Sequence, residues 1–175
     1  MVSKDKKASS SIKISNIKMF GYARKRLQST VGYRSVIFID SSAPKIQYFE
    51  VQLITDGYIR IGIATEQAEV NGPIGIDKYG YSFGSKNGYM FHNGKRTLFA
   101  ERVNKDSIIS CLFFSETRKL IFFVNGECVG KEIEILEDGQ FWPAVSTFKS
   151  TIADVFQNKN LYTFKDKIFR KYLID

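Results

Sequence analysis

One histidine and two cysteines in 175 residues leave little material for metal binding or covalent catalysis. His92 stands next to Phe91 with no ligating residue at useful spacing, so no metal or acid–base role is expected of it. Cys111 and Cys128 lie apart in apolar surroundings without CxxC spacing. They read as small buried core residues of a protein kept in a reducing compartment. No apolar run approaches the roughly 20 residues a membrane helix requires, and "MVSKDKKASSS" lacks the apolar segment of a signal peptide. Cytosol or nucleus is the expected location. The chain has no phosphate-cradling glycine loop. Its acidic residues fall mostly in turns such as "EDG" and "SETRK", whereas a jelly-roll glycosidase needs two carboxylates roughly 5–9 Å apart across one cleft. No enzyme is expected, and no metal, cofactor, small-molecule substrate or membrane.

What is present is apolar residue in β-type patterns. The length suits one domain with a real core. A formal charge of +8 favours acidic partners, although a basic surface also serves solubility alone. Residues 1–11, lysine and serine with nothing to bury, read as a disordered basic tail. "SIKIS" alternates as a half-buried strand should, and "RSVIFID" and "IQYFEVQLI" are rich in β-branched and aromatic residues. "YIRIGIAT", "YGYSF", "GYMFH", "SIISCLFF", "KLIFFVNG", "ECVGKEIEI" and "FWPAVSTF" continue the series. Asn-Gly pairs in "SKNG", "HNGK" and "VNGE" suit hairpins because both residues tolerate positive φ. Many short strands between turns predict an all-β sandwich or barrel. The end differs. In "TFKDKIFRKYLID" Phe164, Ile168, Phe169, Tyr172 and Leu173 form a helical stripe, with Thr163 and Asp166 as its N-terminal cap. So short a helix must pack on something, either the sandwich or another protein.

The string "YFEVQL…RIGIAT…PIGIDKYGYSF…SIISCLFF…KLIFFVNGECVG…FWPAVSTF" resembles the SPRY domain, whose five strand motifs stand here in order across roughly residues 46–148. The resemblance implies a concanavalin-like β-sandwich of two antiparallel sheets over 12–160, followed by a short amphipathic helix over 161–175. Within that family the chain looks most like the Ash-two subunit of complexes that methylate lysine 4 of histone H3. The opening "SIKIS" and "GY" step, the "PIGIDKYGYSFGSKNG" loop and the tail after "FWPAVSTFKST" carry this likeness. It covers roughly 12–175 and implies a form without the zinc-finger and winged-helix region. Lys105 in "NKDSIIS" and Ile63 in "RIGIAT" depart from the usual glycine and tryptophan.

The resemblance implies a nuclear, non-catalytic subunit that stimulates a SET-domain methyltransferase. Its SPRY face would bind an acidic-then-apolar peptide of a WD40-repeat partner of the retinoblastoma-binding-protein-five type. By position, the expected site comprises Arg60, Pro73 and Ile76, with the family's second arginine replaced by Gly84 and Lys78 or Lys86 compensating. A guanidinium suits an acidic peptide because it forks onto carboxylates. Read alone, Arg60 is equally a surface arginine and Pro73 a turn former. The resemblance also implies that the helical stripe fills the groove of a DPY-thirty-type dimer. Arg24, Lys25 and Arg26 in "ARKRLQ" form either a solvated basic loop or a contact to nucleosomal phosphates. The alternative to the chromatin role is a SPRY peptide or substrate receptor elsewhere, such as a ubiquitin-ligase adaptor.

Overall fold

The computed structural model describes residues 24–175. The basic tail, the "SIKIS" strand and the "GY" step fall outside the described residues. Among the described residues twelve strands and one helix follow one another. They are β1 (Arg24–Gln28), β2 (Arg34–Ile37), β3 (Ile46–Leu53), β4 (Ile59–Ala64), β5 (Gly80–Gly84) and β6 (Tyr89–His92). Then come β7 (Lys95–Leu98), β8 (Ile108–Phe114), β9 (Lys119–Val124), β10 (Glu127–Glu134), β11 (Trp142–Thr147), β12 (Ile152–Phe156) and α1 (Lys165–Lys171).

The strands make two six-stranded antiparallel sheets, ordered β1-β12-β3-β8-β9-β10 and β2-β11-β4-β5-β6-β7. Period-2 alternation turns Ile59, Ile61 and Ile63 of β4 and Tyr81 and Phe83 of β5 toward Phe49, Val51, Cys111, Phe113 and Phe122 of the opposite sheet. The result is a β-sandwich with one core between its sheets. Two Asn-Gly pairs close its tightest hairpins. Asn93-Gly94 joins β6 to β7 and Asn125-Gly126 joins β9 to β10, each with both residues at positive φ.

Both sheets are also apolar on parts of their outer faces, and each is covered there by a segment outside the strands. Residues 65–79 cross the outside of the second sheet, where Ala68, Val70 and Ile74 cover Ile37, Ala64, Trp142 and Ala144. Serines tie this loop down. Ser35 Oγ donates to Gly72 O at 2.6 Å and Ser82 Oγ to Ile74 O at 2.5 Å, while Ile74 N donates to Ser146 Oγ at 2.8 Å. Each buried hydroxyl thereby meets a partner that burial would otherwise deny it.

The first sheet is covered by the C-terminal segment. Ile168, 1% exposed, packs on Leu112, Ile121 and Phe123, with Phe164, Phe169 and Tyr172 around it. The start of α1 corrects the sequence expectation. No side chain at Thr163 or Asp166 caps it. Instead the buried Glu50 carboxylate of β3 accepts the backbone N–H groups of Thr163 (2.6 Å) and Phe164 (2.8 Å) and the hydroxyl of Tyr48 (2.5 Å). A carboxylate there favours the positive end of the helix and satisfies orphan donors. The cysteine expectation holds for Cys111, which is buried, and fails for Cys128, which is exposed on the outermost strand β10 of the first sheet.

Candidate peptide-binding face

Arg60 is the second residue of β4 and alternation aims it away from the core, since Ile59 and Ile61 point inward. Directly opposite in register stands Gly84 of β5. These are the two positions at which the resemblance expects arginines, and the fold makes them neighbours. A Cβ at position 84 would lie 2.7 Å from Cε2 of Phe91, because that ring, on β6, leans over the glycine. The Arg60 guanidinium sits 3.5 Å from the Phe91 centroid and 5.2 Å from that of Tyr33. The missing side chain at 84 thus gives room to a ring that holds the remaining arginine.

More aromatics extend the group. The Tyr33 and Phe148 centroids are 4.8 Å apart, those of Tyr58 and Phe148 5.7 Å, and Lys86 Nζ lies 5.8 Å from the Tyr58 centroid. Lys86 therefore joins Arg60 through three rings. Lys78 does not. It lies over Tyr79, 5.4 Å from the centroid, and that ring packs on the Trp142 cluster. Pro73 and Ile76 form a turn in the covering loop, closed by Ile76 N to Pro73 O at 3.2 Å, and leave Ile76 51% exposed. Burial holds the Arg60 guanidinium below its ordinary pKa, against the favourable interaction with Tyr33. Burial likewise pushes the Tyr33 phenol up. Among the described residues no salt bridge joins Arg60 to a carboxylate. Arg60 Nη1 donates to Ile74 O at 3.4 Å.

Other sequence candidates are placed differently. Arg24, Lys25 and Arg26 form strand β1 rather than a loop, and two of them are engaged. Arg26 grips the buried Asp154 carboxylate through Nε (2.8 Å) and Nη2 (3.0 Å), and Arg24 binds the same group. Of the helical stripe, Phe164, Ile168, Phe169 and Tyr172 face their own sheet, while Leu173 is 92% exposed. Packing on the sandwich is thus the arrangement adopted. His92 is structural in its contacts. Its ring stacks on Tyr81 at 3.7 Å, with Nδ1 2.8 Å from Gly80 O and Nε2 2.7 Å from Glu137 Oε1. Phe91, Tyr33, Tyr58 and Phe148 were not singled out from the sequence. The signal for Phe91 was present in "GYMFH", where alternation places it outward with Tyr89.

The SPRY-domain family profile matches residues 46–158, most of the sandwich. This chain belongs to the SPRY-domain family. A solved human SPRY domain superposes with a TM-score of 0.64 at 16% identity, covering 82% of this chain and 96% of that one. At that identity the likeness concerns the fold. The ATP-dependent RNA helicase Ddx1 of Drosophila melanogaster is 29% identical over 101 residues, 56% of this chain. The match spans only 14% of the helicase's own length. A SPRY domain is a protein-interaction module.

Proposed function

We propose that this SPRY domain is a non-catalytic recognition module that binds an extended acidic peptide on the face around Arg60. The observation that carries this reading is the Arg60 guanidinium, held between Phe91 and Tyr33 with no carboxylate partner among the described residues. Exposed Ile76, in the covering loop whose Ile74 carbonyl accepts from Arg60 Nη1, supplies apolar surface for the rest of the peptide. Calorimetry with acidic peptides is the test. Unchanged affinity for Arg60→Ala would remove the reading.

In its finer form, the chain is an Ash-two-type subunit of a nuclear histone H3 lysine-4 methyltransferase complex. The peptide then belongs to the WD40-repeat subunit of the retinoblastoma-binding-protein-five type, and binding stimulates the SET-domain enzyme. The motif order from "YFEVQL" to "FWPAVSTF", with Arg60 and Pro73 in place, supports this assignment. A DPY-thirty-type dimer is the proposed second partner, and because Ile168 is held on the sheet its capture requires release of α1. Added to a SET–WD40 pair, the protein is expected to raise the methylation rate; equal rates at saturation would count against it. The helicase relative favours a second reading, a peptide receptor outside chromatin, since there the matched region is a small part of a larger protein. Affinity capture with mass spectrometry separates the two by the partners recovered.

A further inference from the structure

Resting on the peptide-binding reading, we propose that Arg96 is the second cationic anchor of this face, in place of the arginine absent at position 84. Arg96 lies on β7 opposite Phe91 in register, so it shares the outer face with Phe91 and, two strands further in, with Arg60. Its guanidinium lies over the Tyr89 ring, 4.9 Å from the centroid. Tyr89 and Phe91 are edge to face at 6.2 Å, and Phe91 carries Arg60 at 3.5 Å. Cation, ring, ring, cation thus follow one another across the strands. Neither arginine is ion-paired among the described residues. Leu98, 81% exposed and opposite Tyr89 in register, ends the strip with apolar surface.

The geometry defines the ligand. The three contact distances bound the separation of the two guanidinium carbons at about 15 Å. An extended chain rises roughly 3.3 Å per residue, so at most about four residues bridge that gap. Side chains on one side of such a chain recur every second position. The peptide therefore carries acidic residues at i and i+2 or at i and i+4, and lies across the strands. Single-stranded nucleic acid fits less well, because arginines of this chain already stack on the rings that bases would need.

The test uses the full chain and fluorescent peptides with two glutamates at i and i+1, i and i+2, i and i+4, or i and i+8, beside a single-glutamate control. Anisotropy should rank the i and i+2 or the i and i+4 peptide tightest, above i and i+1 and i and i+8. Arg96→Ala should weaken that peptide about tenfold and leave the single-glutamate peptide unchanged, whereas Arg60→Ala weakens both. Arg96→Lys, which keeps the charge but not the flat fork, should fall between. Equal losses on both peptides for Arg96→Ala, or none, would overturn the second anchor while an Arg60 effect leaves the peptide face standing. No effect from either variant would remove the face itself. An oligouridylate that binds more tightly than every peptide, and is lost in both variants, would assign the strip to RNA.

Discussion

A side chain at position 84 has to displace Phe91, because even its Cβ would stand 2.7 Å from that ring. Gly84→Arg, which restores the arginine expected from the resemblance, should therefore disturb the stack that holds Arg60. The expected outcome is weaker peptide binding despite the added charge, read by calorimetry. Arg60→Ala should cost about 1.5–3 kcal/mol of binding, the range for hydrogen bonds to a charged group. Its melting temperature should change little, since among the described residues the guanidinium makes no ion pair and its loss leaves no buried charge unpaired. Arg60 itself was legible in "RIGIAT". Its surroundings were not, because the rings of Tyr33 and Phe91 come from either side of it in the chain, and only strand pairing brings them together.

At the scale of elements, α1 is the part whose role changes most once it is placed. Seven residues form too short a helix to persist alone in water. Its order depends on Leu112, Ile121 and Phe123 beneath it and on the Glu50 carboxylate at its start. Ile168→Ala should cost about 3 kcal/mol through lost burial and the cavity left behind. For a domain of this size that is a fall of roughly 6–12 °C in Tm. Deleting residues 163–175 should cost more, since it also uncovers the outer face of the first sheet. A truncated protein melting like the full chain would mean that the packing contributes nothing. The helical stripe was plain in the sequence, but periodicity shows only that one face is apolar, not what covers it.

For the whole molecule, acid is the condition most directly coupled to these contacts. Burial alone would raise the Asp154 carboxyl, but hydrogen bonds and charge from Arg26 and Arg24 more than offset it and hold the group below its ordinary pKa. Glu137 is likewise pushed up by burial and held down overall by hydrogen bonds from Tyr81 and His92. A depressed folded-state value stabilises fully above the unfolded carboxyl range, about 4, and the contribution disappears as pH falls through the folded value. Thermal stability should thus decline below about pH 4. Asp154→Asn should lower Tm at neutral pH and narrow the difference between neutral and acid conditions, because the variant has no carboxylate at position 154 left to protonate. Melts of both proteins across that range provide the measurement.

The strands, the Asn-Gly hairpins and the SPRY assignment follow from the sequence by itself, since alternation, positive-φ turns and motif order are local properties that survive reading one segment at a time. Even β1, read as a basic loop, shows the limit of that approach: "RKRLQ" reads as charge until Asp154 stands opposite Arg26. Only the tertiary structure decided which outer faces are covered and by what. It laid residues 65–79 over one sheet and the C-terminal segment over the other, exposed Cys128, and set Phe91 over Gly84 to hold Arg60. The physical reason is separation along the chain. These contacts join residues brought close by sheet pairing and by the burial of apolar surface, and no local pattern records which distant side chain will occupy the space a glycine leaves open.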